Sequence, residues 1–302
     1  MKIPNSDGYV HPAFLASIAL LLLAVQPLRA QGTPGAGPIL LVNGISMNSS
    51  AVIDSFDSRD PLNSTDGLYD PAKRQAHADL SLSNTGHSDL HNAFVYGNLS
   101  YSGNAPKNCT NVQGTISTPF MRDIRPTTDP TWAPGDYVQY PGGGNPPASG
   151  VFVANGTASN PTRIKVVGDF TVPGGKTFSI VSDPQVDGYL VVWVTGKFTT
   201  SGSGRMNQDP TAHVIWIVDK DVNTSGEAYQ NHSGKAANLS LSAVRTGKVT
   251  LSGSAGFIGT IQGAERDLTI TGAGGLSGAI LANTLNLGGG SGIHCDEALT
   301  SP

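Results

Sequence analysis

Three aspartates occupy the same place in a recurring sequence phrase and are the strongest candidates for chemistry in this chain. Asp169, Asp221 and Asp267 each precede an apolar residue, a polar residue and then an apolar residue or Thr, and the same place in intervening copies holds Lys197 or Lys248. Glycoside hydrolysis needs two carboxylates at acid–base separation, which these aspartates would supply if the fold brought them together. Alternating charges along one column are more simply explained as surface ion pairs, each of which contributes little stability. We therefore predict no catalytic residue and keep a polysaccharide lyase or hydrolase as the alternative.

Two further groups contain metal-ligand residue types, but their spacing does not fit a metal site. Asp54, Asp57 and Asp60 lie three residues apart with no closing Glu, whereas a calcium loop needs oxygen ligands at alternate positions. We interpret these aspartates as turn-capping residues and keep calcium as the alternative. His87 and His91 would share one face only on a helix, and their surroundings favour strand and loop. We therefore predict no metal site and no cofactor.

The two cysteines, Cys109 and Cys295, are far apart in the sequence. They lack the C-x-x-C spacing that would indicate a zinc site. In an oxidising compartment they could form a single disulfide that closes a very long loop, and we take this bridge as the prediction. Two free thiols are the alternative.

A short repeated phrase would position these side chains. It consists of a charged or polar residue, an apolar residue, Thr, Ser or Asn, then an apolar residue or Thr, a small residue and Gly. From residue 164 onward the closing glycines recur at intervals of 17 to 28 residues, which is typical of a solenoid. The copies lie at residues 98–103, 169–174, 197–202, 221–226, 248–253, 267–272 and 284–289.

The period of two in a β-strand predicts which side chains face inward. Apolar residues at the second place of each phrase should face the core, and the polar residue after each should face solvent. The inward set is Phe170, Phe198, Val222, Val249, Leu268 and Leu285, and the outward set is Thr171, Thr199, Asn223, Thr250, Thr269 and Asn286. A second apolar strand lies between successive phrases, and no helical periodicity is present. The pattern predicts an all-β fold, a single-stranded right-handed parallel β-helix with a long lateral loop.

The chain divides into four parts. Residues 1–30 have the features of a secretory signal peptide, with an apolar stretch from Pro12 to Val25 and cleavage near Ala30. Residues 31–38 form a Gly/Pro linker, and residues 39–302 form the β-helix domain, with an insertion at about 104–150. Because solenoid ends need covering, we expect 39–53 to cover one end and the tail at 296–299 to cover or tether the other.

The composition excludes some classes of function. Charged residues make up only 13% of the 302 residues, the net charge is −4, and there are 38 glycines. No basic patch with interleaved aromatic residues is present, so nucleic acid is not expected as a partner. No stretch after residue 30 is apolar enough to span a membrane, so we expect no membrane span in the mature chain.

Two segments resemble the opening and close of a family of secreted bacterial parallel β-helix proteins of unassigned function. The opening is Ile53-Asp-Ser-Phe-Asp-Ser58 with Tyr69-Asp70 soon after, and the close is Asp296-Glu-Ala-Leu299. The resemblance covers roughly residues 39–300 and implies an exported right-handed β-helix with no catalytic residues to carry over. Cys295 is not part of the family's pattern.

These observations predict an exported structural or adhesive surface protein. The expected binding surface is the outward Thr/Asn/Ser face, and the expected partner is a cell-envelope or extracellular polysaccharide. Ice or crystal-surface binding by the Thr residues is a further alternative. The oligomeric state is not indicated by the sequence.

Overall fold

The protein is an all-β molecule in which short parallel strands stack in successive coils, consistent with a solenoid-like fold. The computed structural model describes residues 38–84, 86–120, 124, 126–141, 150–225, 229–254 and 256–299. The predicted signal peptide and all of the linker except Pro38 therefore lie outside the described residues.

Short 3₁₀ turns occur at Pro71–Lys73, Ala236–Asn238 and Glu297–Leu299. The strands are β1 Ile39–Met47, β2 Val52–Phe56, β3 Leu80–Leu82, β4 Phe94–Val95, β5 Leu99–Tyr101, β6 Ile116–Ser117, β7 Val138–Pro141, β8 Val151–Ala154, β9 Thr162–Val167, β10 Phe170–Val172, β11 Thr177–Ser182, β12 Gly188–Val194, β13 Phe198–Thr200, β14 Arg205–Gln208, β15 Ala212–Val218, β16 Val222–Thr224, β17 Tyr229–Asn231, β18 Leu239–Ala243, β19 Gly247–Ser252, β20 Phe257–Thr271, β21 Leu276–Leu287 and β22 Gly292–Asp296.

The coils have three strand-bearing sides in the first part of the stack. One side carries β9, β12, β15 and β18, and the second carries β10, β13, β16 and β19, each paired in parallel with the next. The third side carries β8, β11, β14 and β17. In β20 and β21 the first two sides are formed by one long strand each, which pair with each other.

The predicted inward and outward registers are confirmed on the second side. All six predicted inward residues are buried, and Val172, Leu251, Ile270 and Leu287, two places further on, are buried with them. The six outward residues follow one another in strict register across β10, β13, β16, β19, β20 and β21. Alternation within each strand therefore sets which residues form the core.

Glycine closes the corner after each phrase where the backbone must turn with positive φ. Gly202 and Gly289 have φ values of 56° and 65°, a left-handed conformation that L side chains rarely adopt. At the copy at 169–174 the role falls to Gly175, with φ of 73°, rather than to the predicted Gly174. Gly226 lies outside the described residues.

One inward column runs the length of the stack and gives the order of its rungs. We call it the core column. It contains, in spatial order, Val138, Ile164, Val192, Trp216, Leu241, Ile261, Ile280, Ile39, Leu80, Leu99 and Ile116. The spatial order is not the chain order, because the first strand, β1, lies between β21 and β3.

The prediction that residues 39–53 cover one end of the solenoid is therefore wrong. β1 has a neighbouring strand on each side, and β2 lies between β22 and β4. The tail at 296–299 likewise follows β22 in the middle of the stack rather than covering an end. The terminal rungs are β6 and β7, both of which fall inside the predicted insertion at about 104–150.

Between β6 and β7, which lie at opposite ends of the stack, several described residues contact the outside of the stack. At one end the N–H of Phe120 donates to the carbonyl of Tyr101 in β5. Asp129 then pairs with Arg245, after β18, and Trp132 packs on Trp193 in β12. Ten steps of ~4.8 Å make the stack about 48 Å long. We call residues 126–137 the strap.

Arg266, at the corner between the first two sides, is almost fully buried. Its guanidinium donates to the carbonyl oxygens of Lys220 and Asp219, both at 2.8 Å, and to that of Val244. Burial lowers the pKa of Arg266, and nearby Asp221, Asp219 and Glu265 oppose this shift. The side chain therefore ties three consecutive coils together at one corner.

Candidate functional site

A continuous column of outward polar side chains runs along the second side of the stack. In spatial order it contains Thr171, Thr199, Asn223, Thr250, Thr269, Asn286 and Ser46. Isolated parallel bridges extend it from Ser46 to Asp89 and from Asp89 to Lys107. We call this set the polar column. With a rung spacing of ~4.8 Å it presents hydrogen-bonding groups over about 38 Å.

The three candidate aspartates lie beside the polar column and bond to the fold. Asp169 Oδ1 accepts the backbone N–H of Lys197 at 2.8 Å, and Asp221 Oδ1 accepts that of Lys248 at 3.1 Å. Asp267 Oδ1 accepts the hydroxyl of Thr284 at 2.7 Å and the side-chain amide of Asn283 at 2.9 Å. Each carboxylate therefore fixes the start of the next coil.

The predicted alternation of charge next to the polar column is present in the structure. Lys197 Nζ lies 3.7 Å from Asp221 Oδ2, and Lys248 is the strand partner of Asp267. Since a lysine rung separates successive aspartates, their carboxylates are two rungs, or about 9.6 Å, apart. The same corner bond occurs in the other half of the stack, where Asp79 Oδ1 accepts the N–H of Asn98 at 3.3 Å. The repeated bond favours a structural role for these aspartates.

The two motifs that resemble the family's opening and close meet in space. β2 and β22 pair in register, so that Asp54 lies beside His294 and Ser55 beside Cys295. The segment at 57–79 then folds over the outer face of these two strands, bringing Tyr69 onto them. We call Asp54, Tyr69 and His294, together with Ser55 and Glu297, the terminal clasp.

Asp54 is the centre of the terminal clasp and is fully buried, at 0% exposure. His294 Nδ1 lies 2.6 Å from its Oδ1, and the Tyr69 hydroxyl donates to its Oδ2 at 2.6 Å. The rings of Tyr69 and His294 stack with centroids 3.5 Å apart and an interplanar angle of 12°. Burial raises the pKa of the Tyr69 hydroxyl well above its usual value, and the hydrogen bond to Asp54 adds to the shift.

Ser55 and Glu297 form the second half of the clasp. The Ser55 hydroxyl donates to Glu297 Oε1 at 2.8 Å and accepts the backbone N–H of His77 at 3.0 Å. His77 Nδ1 lies 3.0 Å from the same Glu297 oxygen. The neighbouring Asp296 Oδ1 accepts the backbone N–H of Ser58 and that of Ala298, both at 3.1 Å. The motif residues therefore join both ends of the domain and are used in the fold.

The predicted turn-capping role of the first aspartates is found for two of them. Asp60 Oδ1 accepts the N–H of Leu62 at 2.9 Å, and Asp57 accepts that of Arg59 at 2.9 Å and also forms an ion pair with its guanidinium. Asp54 instead belongs to the clasp, so the three carboxylates point to different partners. Among the described residues no group of three His, Cys, Asp or Glu could hold a metal ion.

The predicted disulfide between Cys109 and Cys295 is wrong, because both cysteines are free. Cys295 is fully buried between Ser55 and Gly278, and burial raises the pKa of its thiol well above the usual value. The thiol of Cys109 instead points to the carbonyl of Pro106 at 3.1 Å, in a turn beside the rungs near one end of the stack. The sequence separation gave no information on whether the two thiols meet.

The strap covers an apolar area on the first side of the stack, and this contact was not predicted from the sequence. Trp132 packs edge-to-face on Trp193, with ring centroids 5.7 Å apart, and contacts a cluster that includes Val191, Ile217 and Val244. Trp193 donates its indole N–H to Asp219 at 2.7 Å. Burial raises the pKa of Asp219, and that hydrogen bond opposes the shift. The only signal in the sequence was an outward-facing Trp193 on a strand.

The best-defined cavity among the described residues is small. Its volume is about 20 Å³, and Thr224, Tyr229, Leu251 and Phe257 are among the residues that line it. This is enough room for about one water molecule. The extended outer faces are therefore the better candidates for binding.

Comparison with known proteins adds a family match over the second half of the chain. Residues 153–301 match the model of a family described as Domain of unknown function (DUF7305). No curated protein matches the chain, and no solved structure matches it. In the part of the chain that the structure describes, no helix is long and apolar enough to cross a membrane.

Proposed function

We propose that this protein is an exported, non-catalytic scaffold, a single-stranded right-handed parallel β-helix. It binds cell-envelope or extracellular polysaccharide through its polar column. The observation that carries the proposal is the unbroken register of outward Thr and Asn side chains over successive rungs. Hydroxyl and amide groups at a regular spacing match the hydroxyl-rich, repetitive surface of a polysaccharide, because each can both donate and accept hydrogen bonds.

The chemistry around the column supports binding rather than bond cleavage. The adjacent carboxylates of Asp169, Asp221 and Asp267 accept hydrogen bonds from the next coil. A glycosidase needs one carboxylic acid and one carboxylate that reach the same glycosidic bond. Carboxylates committed to backbone and side-chain donors are poorly placed for that task, and their alternation with lysines keeps the face nearly neutral. A neutral polar face suits an uncharged or weakly charged glycan.

Export is supported by the predicted signal peptide at residues 1–30 and by the low charge of the chain. Fractionation of the producing cells, with mass spectrometry of the mature N-terminus, tests this part of the proposal. We expect the protein in the envelope or the medium, beginning near Gln31. A protein that stays in the cytoplasm with residues 1–30 attached would contradict export.

Binding is tested with a triple variant, Thr199→Val, Thr250→Val and Thr269→Val. Valine keeps the β-branched shape that suits a strand but removes three hydroxyls from the polar column. At about 1 kcal/mol for each hydrogen bond, the loss is about 3 kcal/mol, or roughly 100-fold in affinity. Affinity for a panel of envelope and extracellular polysaccharides is measured on a glycan array and by affinity electrophoresis.

A matched control changes the outward column on the third side, through Ser179→Ala and Gln230→Ala. We expect this control to bind like the wild type. Equal binding by the triple variant and the wild type would refute the role of the polar column. Degradation of any polysaccharide in the panel, lost on Asp→Asn change at Asp169, Asp221 and Asp267, would establish the enzymatic alternative instead.

A further inference from the structure

The core column ends in an exposed apolar residue at each end of the stack. Its nine internal members are all buried, whereas Val138 in β7 is 67% exposed and Ile116 in β6 is 47% exposed. Both side chains point toward the core axis, as do their strand partners Ile164 and Leu99. They are exposed because no described rung lies beyond them, so each end of the core is open to solvent at this position.

The strands at the two ends have matching chemistry. β6 pairs only with β5 and β7 only with β9 among the described strands, so each has a free edge of backbone N–H and C=O groups. Exposed edges in natural proteins are commonly protected by charged side chains or by proline. Neither strand contains a charged residue, and the one proline, Pro141, is the last residue of β7. Among the described strands, therefore, none occupies the edge from Val138 to Tyr140.

The two ends are also consecutive in register. Val138 and Ile116 are the first and last members of one column, so placing the β6 end of one molecule on the β7 end of another continues that column by one step. In a neighbouring column Tyr140 is half-buried at the β7 end beside Val166, and Tyr101, one rung inside the β6 end, is half-buried beside Leu82. Since all the strands are parallel, this placement keeps their direction and makes the junction a parallel pair like those within the molecule.

We propose that copies of this protein associate head to tail, with β6 of one copy pairing in parallel with β7 of the next. The contact is heterologous, because two different surfaces meet, and repeated addition gives an open filament rather than a closed dimer. Recognition comes from main-chain hydrogen bonds along the edge, with Val138 and Ile116 packing across the junction. The inference does not depend on polysaccharide binding.

The first test is the oligomeric state of the purified protein by sedimentation velocity and light scattering over a range of concentrations. We expect species larger than a dimer that grow with concentration. Ile116→Lys and Val138→Lys each place a charge at one end and should each leave monomers. Val186→Lys is the matched control, because Val186 is 62% exposed on the loop before β12, on the outside of the stack and not on either terminal strand. It should assemble like the wild type.

Mixing the two end variants separates head-to-tail from symmetric association. The Ile116→Lys molecule keeps an intact β7 end, and the Val138→Lys molecule keeps an intact β6 end, so an equimolar mixture should form dimers and nothing larger. A symmetric contact through one end would instead let one variant self-associate alone. A wild type that is monomeric throughout, or a mixture that stays monomeric, would overturn the proposal.

Cross-linking tests the register without relying on a disruptive charge. Ser117 and Gln139 are the end members of the outward column next to the core column. In the proposed junction they face each other, within the Cα separation that a disulfide needs. In a Cys109→Ser background, a mixture of Ser117→Cys and Gln139→Cys should give a cross-linked dimer under mild oxidation. Neither variant alone should form the cross-linked dimer. A dimer that forms in a sample of one variant but not in the mixture would contradict the parallel register.

Discussion

Replacement of Tyr69 by Phe tests whether the terminal clasp holds the two ends of the domain together. The change removes one hydroxyl, which donates to Asp54 Oδ2 at 2.6 Å. The ring remains, so its stacking on His294 and its edge-to-face contact with Phe56 should be kept. Asp54 is fully buried and would lose one of its two side-chain hydrogen-bond partners.

The expected loss follows from the kind of hydrogen bond removed. A hydrogen bond to a charged group contributes about 1.5–3 kcal/mol, and an acceptor left buried without its partner keeps its desolvation cost. We expect Tyr69→Phe to lower the free energy of unfolding by about 2 kcal/mol. For a domain of this size the corresponding fall in Tm is about 4–8 °C.

Urea denaturation followed by tryptophan fluorescence and circular dichroism measures the loss. A lower midpoint with an unchanged slope would indicate a change in stability alone. Tyr96→Phe is the control, because Tyr96 lies nearby and interacts through its ring, over which Arg74 is placed at 4.2 Å. We expect the control to lie within about 0.5 kcal/mol of the wild type. An equally small effect for Tyr69→Phe would refute the view that the clasp stabilises the domain.

Two further substitutions and one thiol titration test other parts of the fold. Arg266→Met leaves buried carbonyl oxygens at one corner without donors, at about 1–3 kcal/mol each, and should lower the free energy of unfolding by about 3–5 kcal/mol in urea titrations. Burial raises the pKa of Asp296 and the hydrogen bonds from Ser58 and Ala298 oppose the shift. The carboxyl group therefore contributes stability below its unfolded pKa of about 3.9 that is lost as pH rises through its folded pKa. Asp296→Asn keeps the acceptor oxygen without the charge, so its stability relative to wild type should increase between pH 4 and pH 7, and denaturation at both values checks this. Thiol titration of the native protein should label Cys109 slowly and Cys295 only after unfolding, because Cys295 is fully buried. An intact protein mass about 2 Da below that of the reduced chain would indicate a disulfide and contradict the free thiols.

The register of the rungs was accessible from the sequence because it depends on local alternation. Phe170 and Phe198 could be placed in one inward column, and Thr171 and Thr199 in the adjacent outward one, from the period of two and the position of the following glycine. These features are encoded within about six residues of each other. The inward and outward positions are therefore the same whichever strand becomes the neighbour.

The order of the rungs was not accessible in this way. Alternation shows which face of β1 is inward, but it carries no information on which strand lies beside Ile39. Its partners, Ile280 and Leu80, differ in sequence position by 200, and all three are equally suited to the core. The expectation that an N-terminal strand covers an end rested on chain order, which the structure does not follow.

The candidate site was predictable in part for the same reason. The polar column follows from strand period, whereas the terminal clasp depends on pairing between β2 and β22, which are remote in the chain. The two halves of the clasp were recognisable only as short motifs at opposite ends of the sequence. The strap has no periodicity at all, so Asp129 gave no sign of its ion pair with Arg245.

The position of β1 in the middle of the stack has a consequence for the order of folding. The strands from β9 to β21 pair with neighbours about 20 to 30 residues away, so they can form coil by coil at a modest entropic cost. β1 and β2 can pair early with β3 and β4, but they reach their other partners, β21 and β22, only after nearly the whole domain has been synthesised. Residues 39–117 emerge first but complete their pairing last. A chain with this arrangement stays incompletely folded until β21 and β22 appear, so the closing step depends on those two strands; for the proposed export, it would favour passage through a secretion channel as an unfolded polypeptide.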